Sequence, residues 1–227
     1  MPAAKPAVRF EDMGELLDRL GNISPRRVCM DPLPGTATER DLLRKHGRPH
    51  KLYELIEGTL VEKAMGHVES IVAAELIRVL GNFIKQHQLG YFSGSDDLIR
   101  LMPKVVRGPD VSFTSWAQRP DRTADTDSIS EVIPSLVVEV LSKGNTRGEI
   151  AKKLKDYFFA GVQLAWVIDP KTRTAEAYTA PDAKTAVPAD GELDGGAVLP
   201  GFSLPLAELF ETLPAPVAKK PKGKKKK

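Results

Sequence analysis

Pro134-Ser135-Leu136-Val137-Val138-Glu139-Val140-Leu141, followed by Thr146 to Ala160 and then by Gln163-Leu164-Ala165-Trp166-Val167-Ile168, is the stretch on which the fold turns. Residues 136–141 form an apolar, β-rich run broken only by Glu139. In residues 146–160 the apolar side chains Ile150, Leu154, Tyr157 and Phe158 fall on one helical face, and Gly161 ends the pattern. A second apolar run, 163–168, follows at once. Strand, helix and strand of this length and order make a βαβ crossover, which sets two parallel strands side by side under a helix.

Working outward, Thr174 to Thr179 reads as a further strand across the turn Asp169-Pro170-Lys171, and Glu208 is expected to end the core. Upstream, short strands are expected near 97–101 and 110–113. The longest helix spans about 68–88 and is closed by Gly90. Before it, 51–56 and 59–63 read as a hairpin joined at Glu57-Gly58. Thr36 with Glu39 three residues on has the form of a capping box, opening a short helix through Lys45 that stops at Gly47. A first helix covers 11–20, with Leu16, Leu17 and Leu20 in helical spacing, and Gly21-Asn22 stops it. The expected class is α/β (mixed α+β), a central mixed β-sheet flanked by helices.

The 227 residues suit one α/β domain with a real core. No stretch approaches the roughly 20 apolar residues of a membrane helix, so no membrane association is expected. The N-terminal Met1-Pro2-Ala3-Ala4-Lys5-Pro6 has no apolar signal region, and the single Cys29 cannot form an intramolecular disulfide. A cytoplasmic location fits these features. The net charge of +3 conceals an asymmetry, because seven lysines lie in Lys219–Lys227 and the remainder is mildly acidic. Such a tail either solubilises a disordered end or attracts polyanions without sequence preference.

The informative residues are polar ones where the pattern calls for apolar ones. Glu139 sits in a strand that should be buried on both faces, so its charge needs a partner: a buried salt bridge or a metal ion. On a strand, Asp110 and Ser112 share one face while Val111 and Phe113 share the other. Asp110, after Pro109, reads either as a turn residue or as a second inward carboxylate. Glu69 falls at the N-terminal end of the stripe Val72, Leu76, Leu80 and Phe83, where the helix terminus favours negative charge. Lys153 borders the apolar face of its helix, one turn before Tyr157, whereas Lys152 and Lys155 point away. Its stem either covers Tyr157 or delivers an amine to a site between helix and sheet.

Three carboxylates and a lysine suit hard-cation chemistry. Mg²⁺ takes one or two protein carboxylates plus waters. A metal-activated water together with an ammonium suits phosphodiester hydrolysis. Other chemistries lack their motifs. His46, His50, His67 and His87 show no metal-ligand spacing, there is no GxSxG, Walker or GxGxxG segment, and Cys29 has no nearby histidine.

Five segments in this order resemble the Uma-two family of restriction-endonuclease-type proteins, a branch of the PD-(D/E)XK superfamily. They are Tyr53-Glu54-Leu55-Ile56-Glu57-Gly58-Thr59-Leu60-Val61, Gly108-Pro109-Asp110-Val111-Ser112-Phe113, Pro134 to Ser142, Lys153-Leu154-Lys155-Asp156-Tyr157 with Ala160-Gly161-Val162, and Trp166-Val167-Ile168-Asp169-Pro170. The ending from Leu193-Asp194-Gly195-Gly196 to Leu209-Phe210 is also similar. The resemblance implies that Pro109-Asp110 is the PD element, Glu139 the acidic residue of (D/E)XK, and Asp110 and Glu139 the metal ligands. Leu141 stands where superfamily members often place lysine, and the resemblance assigns that lysine to Lys153 on the following helix. Glu69 takes the place of a histidine common in the family and is expected near the ion. Glu57 matches a common acidic residue and reads first as a turn residue, while His67 is left without a role.

The expectation is therefore an endonuclease that uses Mg²⁺ or Mn²⁺ to hydrolyse DNA, with a non-catalytic DNA-binding or partner-binding module as the alternative. Cutting both strands usually needs two sites, which makes a homodimer compatible with the reading. The expected organisation is a helical extension (1–35), a nuclease-like domain (36–210) and a disordered lysine-rich tail (211–227).

Overall fold

The computed structural model describes residues 7–47, 51–123, 126–211 and 213, so the lysine-rich segment lies outside the described residues. The N-terminal part contains α1 (Met13–Arg19), a 3-10 turn (Pro25–Arg27), α2 (Glu39–Lys45), β1 (Tyr53–Ile56), β2 (Thr59–Glu62) and α3 (His67–His87). Then come β3 (Gly90–Gly94), β4 (Ile99–Met102), β5 (Val105–Arg107), β6 (Val111–Ser115), β7 (Leu136–Val140) and α4 (Arg147–Ala160). The chain continues through β8 (Leu164–Asp169), β9 (Thr174–Ala180), β10 (Ala183–Val187), β11 (Glu192–Asp194), β12 (Ser203–Pro205) and α5 (Leu206–Leu209).

The β7–α4–β8 unit is the expected crossover. β7 and β8 pair in parallel, Leu136 opposite Leu164 and Glu139 opposite Val167. They lie inside a mixed six-stranded sheet of order β10-β9-β8-β7-β6-β3. Thr146 caps α4, its hydroxyl accepting from Glu149 N–H, and Gly161 ends the helix at φ 112°, a left-handed conformation that glycine reaches without strain.

α3 covers one face of this sheet. Val72, Leu76, Leu80 and Ile84 pack on Val111, Phe113, Leu136, Val138 and Trp166. α4 covers the other face, where Ile150, Leu154 and Tyr157 meet Val137, Ala165 and Val167. The same cluster takes in Ile99, Leu101 and Val105 of a second, four-stranded sheet of order β2-β1-β5-β4. α4 is therefore enclosed between two sheets, and α2 lies on the far side of the second, Leu42 against Leu55, Leu60 and Val106. The N-terminal segment is part of the same packing, since Leu16, Leu20, Ile23 and Val28 bury against Ile56 and Val61. Cys29 is partly buried against the α2 cluster. Among the described residues no helix is long and apolar enough to cross a membrane.

Several local expectations are corrected. The capping box is built on Thr38 and Asp41, not on Thr36 and Glu39. Thr36 instead turns its hydroxyl back to Leu33 O at 2.7 Å, and Thr38 takes the extended conformation a cap needs. α3 closes on Gln88 in the left-handed region, and Gly90 already begins β3. The core does not end at Glu208, because Leu209 and Phe210 are buried beyond it. β3, β5 and β10 to β12 are further strands, mostly short, and short strands carry too little alternation to register in a sequence. The hairpin turn is as read: Glu57 (φ 51°) and Gly58 (φ 72°) are both left-handed, the geometry of a two-residue β-turn that matches strand twist.

Candidate active site

The face of the six-stranded sheet that meets α4 carries two carboxylates on adjacent strands. β6 and β7 pair with Val111 opposite Val138 and Ser112 opposite Val137. One step further along this register sets Asp110 opposite Glu139, side chains on the same face. Asp110 N–H donates to Val138 O at 2.9 Å, so pairing continues past the formal strand end. Its carboxylate is held as well, Val140 N–H donating to Oδ2 at 2.7 Å.

Both carboxylates face cations. Lys153 Nζ lies 2.9 and 2.8 Å from the two oxygens of Glu139, and Tyr157 OH donates to Glu139 Oε1 at 2.6 Å. Lys63, just past β2, places Nζ 2.8 Å from Asp110 Oδ1 and 3.4 Å from Ser95 O. The second sheet supplies the rest of the layer. Glu54 on β1 accepts from Lys153 at 3.1 Å and from Arg107 Nη1 at 2.8 Å. Arg107 also donates to Asp156 Oδ2 at 2.5 Å. Lys153, Glu54 and Arg107 are each 1% exposed. A continuous ionic layer thus runs between the two sheets, with α4 supplying Lys153, Asp156 and Tyr157 to it.

Burial and charge compete differently at each group. Burial would raise the Glu54 carboxyl, but Lys153, Arg107 and Lys63 outweigh it and hold its pKa down to about 2. At Glu139 burial prevails. Lys153 and Lys63 work against the shift, yet Asp110 and Glu54 add to it and the pKa is raised. Burial alone would lower Lys153 and Arg107, but their carboxylate partners raise both. Tyr157 is pushed up by burial and by the Glu139 charge, so it remains a donor.

α4 is fixed at its N-terminal end by the N-terminal segment. Arg27 donates to Glu149 Oε1 at 2.6 Å and Oε2 at 2.8 Å, to Glu62 O at 2.7 Å and to Gly144 O at 2.9 Å. One guanidinium therefore ties the strand leading to Lys63, the loop after β7 and the helix carrying Lys153. Thr146 Oγ1 donates to Gly21 O at 2.6 Å where the two segments cross on glycines. A Cβ on Gly148 would stand 2.6 Å from Gly21 O. Beside this junction opens a cleft of about 630 Å³, lined among others by Lys63, His67, Glu69, Lys51 and Lys143.

Of the residues singled out from sequence, Asp110, Glu139 and Lys153 come together. Of the two readings of Lys153, a stem covering Tyr157 or an amine delivered between helix and sheet, the structure has the second: its ammonium is enclosed by Glu139 and Glu54, with Tyr157 on the same Glu139 carboxylate. Glu69 stands apart from them. It is half-buried in the first turn of α3, curled back over Gly66, whose Cβ would lie 2.1 Å from Glu69 Oε2. It lines the cleft, as does the exposed His67. Glu57 joins the hairpin turn to two cations, Arg19 at 2.7 Å and Lys152 at 3.1 Å. Sequence reasoning missed Glu54, Lys63 and Arg107. Glu54 interrupts the apolar run of residues 52–56 just as Glu139 interrupts its own, so that signal was available. Lys63 follows a strand end and has none.

Among the described residues no three His, Cys, Asp or Glu side chains are grouped to hold a metal ion. The donor set on the sheet is two carboxylates, all oxygen. That composition fits Mg²⁺ or Mn²⁺, which complete their shells with water, and does not fit a structural zinc site.

No curated protein sequence matched the chain. A crystal structure from Anabaena variabilis ATCC 29413, described as "a putative nuclease belonging to DUF820", superimposes with a TM-score of 0.66 at 20% identity, covering 77% of this chain and 97% of that one. At that identity the likeness speaks to the fold, a mixed sheet flanked by helices. The Uma2 family model, described as "Putative restriction endonuclease", matches residues 41–207, so the chain belongs to the Uma2 family.

Proposed function

We propose that the protein hydrolyses DNA phosphodiester bonds, with Asp110 and Glu139 holding Mg²⁺ or Mn²⁺. The observation that carries this reading is the placement of Asp110 and Glu139 on one face of adjacent strands, with Lys153 and Tyr157 bonded to Glu139. When bound, the ion would neutralise charge on a phosphate and make the attacking water more acidic. The chain's own residues prepare for it. Val140 N–H fixes Asp110 through Oδ2, and Oδ1, which now carries Lys63, is the oxygen that would turn to the ion. The Lys153 ammonium sits on both oxygens of Glu139 and works against the burial that raises its pKa, and Tyr157 holds the orientation of that carboxylate. Lys153 acts on the reaction through Glu139. Glu69 and His67, on the cleft wall, would contact water or substrate rather than the buried pair. The lysines of Lys219–Lys227 would add sequence-independent attraction to DNA, weakening as salt rises.

A second reading has its own support: each cation of the buried layer already has a carboxylate partner, so the layer is self-sufficient as a structural ion-pair network. In that case the protein is a DNA-binding or partner-binding module. Plasmid cleavage separates the two. Supercoiled DNA should be nicked or linearised with Mg²⁺ or Mn²⁺, not in EDTA, and cleavage should fall at least a hundredfold in Asp110→Ala, roughly the scale of losing one transition-state charge partner. No metal-dependent cleavage, or equal cleavage by Asp110→Ala, would sink the nuclease reading.

A further inference from the structure

We propose that Lys63 is a displaceable counter-ion: a divalent ion arriving at Asp110 takes the place of its ammonium on Oδ1 and sends that ammonium into the cleft. The inference rests on the reading of Asp110 and Glu139 as ligands and goes beyond it, because it assigns Lys63 a part in loading the site.

Three observations carry it. First, both oxygens of Asp110 are engaged, and unequally. Oδ2 accepts from the fixed backbone N–H of Val140 at 2.7 Å, whereas Oδ1 carries the ammonium of a flexible side chain, Lys63 Nζ, at 2.8 Å. A cation approaching Oδ1 therefore meets Lys63 directly, and the like charges repel. Second, the two buried ammonium groups are held unequally. Lys153 has three carboxylate oxygens within 3.1 Å, from Glu139 and Glu54, so removing it would leave Glu139 without its cation. Among the described residues Lys63 has Asp110 alone within ion-pair distance, its other contact, Ser95 O, being at 3.4 Å. Third, Lys63 has somewhere to go. It lines the cleft of about 630 Å³, and Lys153 does not. Exchange of Lys63 for a divalent ion keeps Asp110 neutralised throughout, which avoids the cost of an unpaired charge in a partly buried position. The ammonium released on the cleft wall then stands where a phosphate backbone would approach.

The test uses the full chain and MnCl₂ alone. By titration calorimetry, Lys63→Met should bind Mn²⁺ about tenfold more tightly than the wild type, since no charge-assisted bond has to be broken. Lys63→Arg keeps a competing cation and should stay near the wild type. A measurement on the unmodified protein covers the case in which Lys63→Met does not fold. Brief acetylation read by peptide mass spectrometry should find Lys63 protected without Mn²⁺ and modified with it, while Lys153 stays protected in both. Equal or weaker Mn²⁺ binding by Lys63→Met overturns the proposal, as does unchanged Lys63 labelling when Mn²⁺ is shown to bind. If the wild type binds no Mn²⁺, the ligand reading itself falls, and this inference with it.

Discussion

Strands β6 and β7 present two faces of opposite chemistry at one register. Toward α3 they show Val111, Phe113, Leu136, Val138 and Val140, buried in an apolar cluster. Toward α4 they show Asp110, Ser112, Val137 and Glu139, and the buried neighbours are Lys153, Lys63 and Tyr157. The apolar face needs only shape to be stable. The charged face needs partners, and the six-stranded sheet supplies none of its own cations there. They come from α4, from the end of β2 and, through Arg107 on Glu54, from the second sheet. On the six-stranded sheet and α4 alone, Asp110, Glu139 and Asp156 would face Lys153 by itself; the four-stranded sheet on the outer side of α4 brings Lys63 and Arg107 to the unpaired carboxylates, with Glu54 between Arg107 and Lys153.

The comparison breaks most sharply when a cation is removed. Arg107→Met should cost about 3–5 kcal/mol in urea denaturation, because Glu54 and Asp156 lose a fully buried partner. Lys153→Met should cost a similar amount and also abolish most cleavage, contrary to what a stem lying on the surface of α4 would imply. Leu136→Ala on the opposite face should cost about 2–5 kcal/mol by leaving a cavity. Size alone will not distinguish the two faces, but pH will. The Arg107→Met loss should shrink in acid, where the stranded carboxylates take up protons, and the Leu136→Ala loss should not. Equal pH dependence of the two variants would mean that the charged layer adds nothing beyond packing.

A somewhat smaller effect separates the two carboxylates that share Lys153. Glu54 has its pKa held at about 2 against an ordinary 4.5. A carboxylate depressed in the folded state contributes stability that is present above its unfolded value and is lost as pH falls toward the folded one. The window is therefore about pH 4.5 down to 2, and the contribution is on the order of 3 kcal/mol. Glu139 is shifted upward, so its charge works against stability above the ordinary carboxylate range and acid relieves it. Glu54→Gln should flatten the acid limb of a stability–pH curve, whereas Glu139→Gln should leave that limb in place. An acid limb unchanged in Glu54→Gln would show that Lys153 and Arg107 do not outweigh its burial.

How far the sequence carried this picture depends on the periodicity of each element. Residues 136–168 are legible because the crossover is long, its apolar runs are dense, and its capping residues Thr146 and Gly161 are standard ones. Glu139 was legible for the same reason, as a lone charge against a strong background. The second sheet was legible only in part: the hairpin β1–β2 and a strand near 97–101 were expected, but β5, three residues among turns, was not, and with it the pairing that joins β1 to β4. Arg107 was hidden with β5. Lys63 was hidden by its position, as a lysine at a strand end is ordinarily solvated, and only the return of β6 alongside brings Asp110 to it. Glu69 shows the converse error. Its helical angle points toward the sheet, but α3 packs on the apolar face, opposite the one that carries Asp110 and Glu139, and the first turn of the helix lines the cleft.

The smallest expected effect sharpens the comparison within a single helix. Lys152, Lys153 and Lys155 are near neighbours on α4, yet their surroundings span the range from solvent to core. Lys152 bridges Glu57 at 3.1 Å and Asp156 at 3.7 Å with its side chain 22% exposed. Lys155 is exposed, with no ion pair among the described residues. Surface pairs contribute about 0–1 kcal/mol, because water already solvates both charges and the long side chain loses freedom when it is held. Lys152→Met should therefore lower stability by less than about 1 kcal/mol. It also leaves Asp156 bonded to Arg107 and Glu57 bonded to Arg19. Lys155→Met should change nothing measurable. Both variants should cleave at the wild-type rate under single-turnover conditions, since neither ammonium touches Glu139 or Asp110. If Lys152→Met or Lys155→Met matches the loss seen in Lys153→Met, the effect belongs to the charge of the helix as a whole, and the pairing of Lys153 with Glu139 is not what the reaction uses.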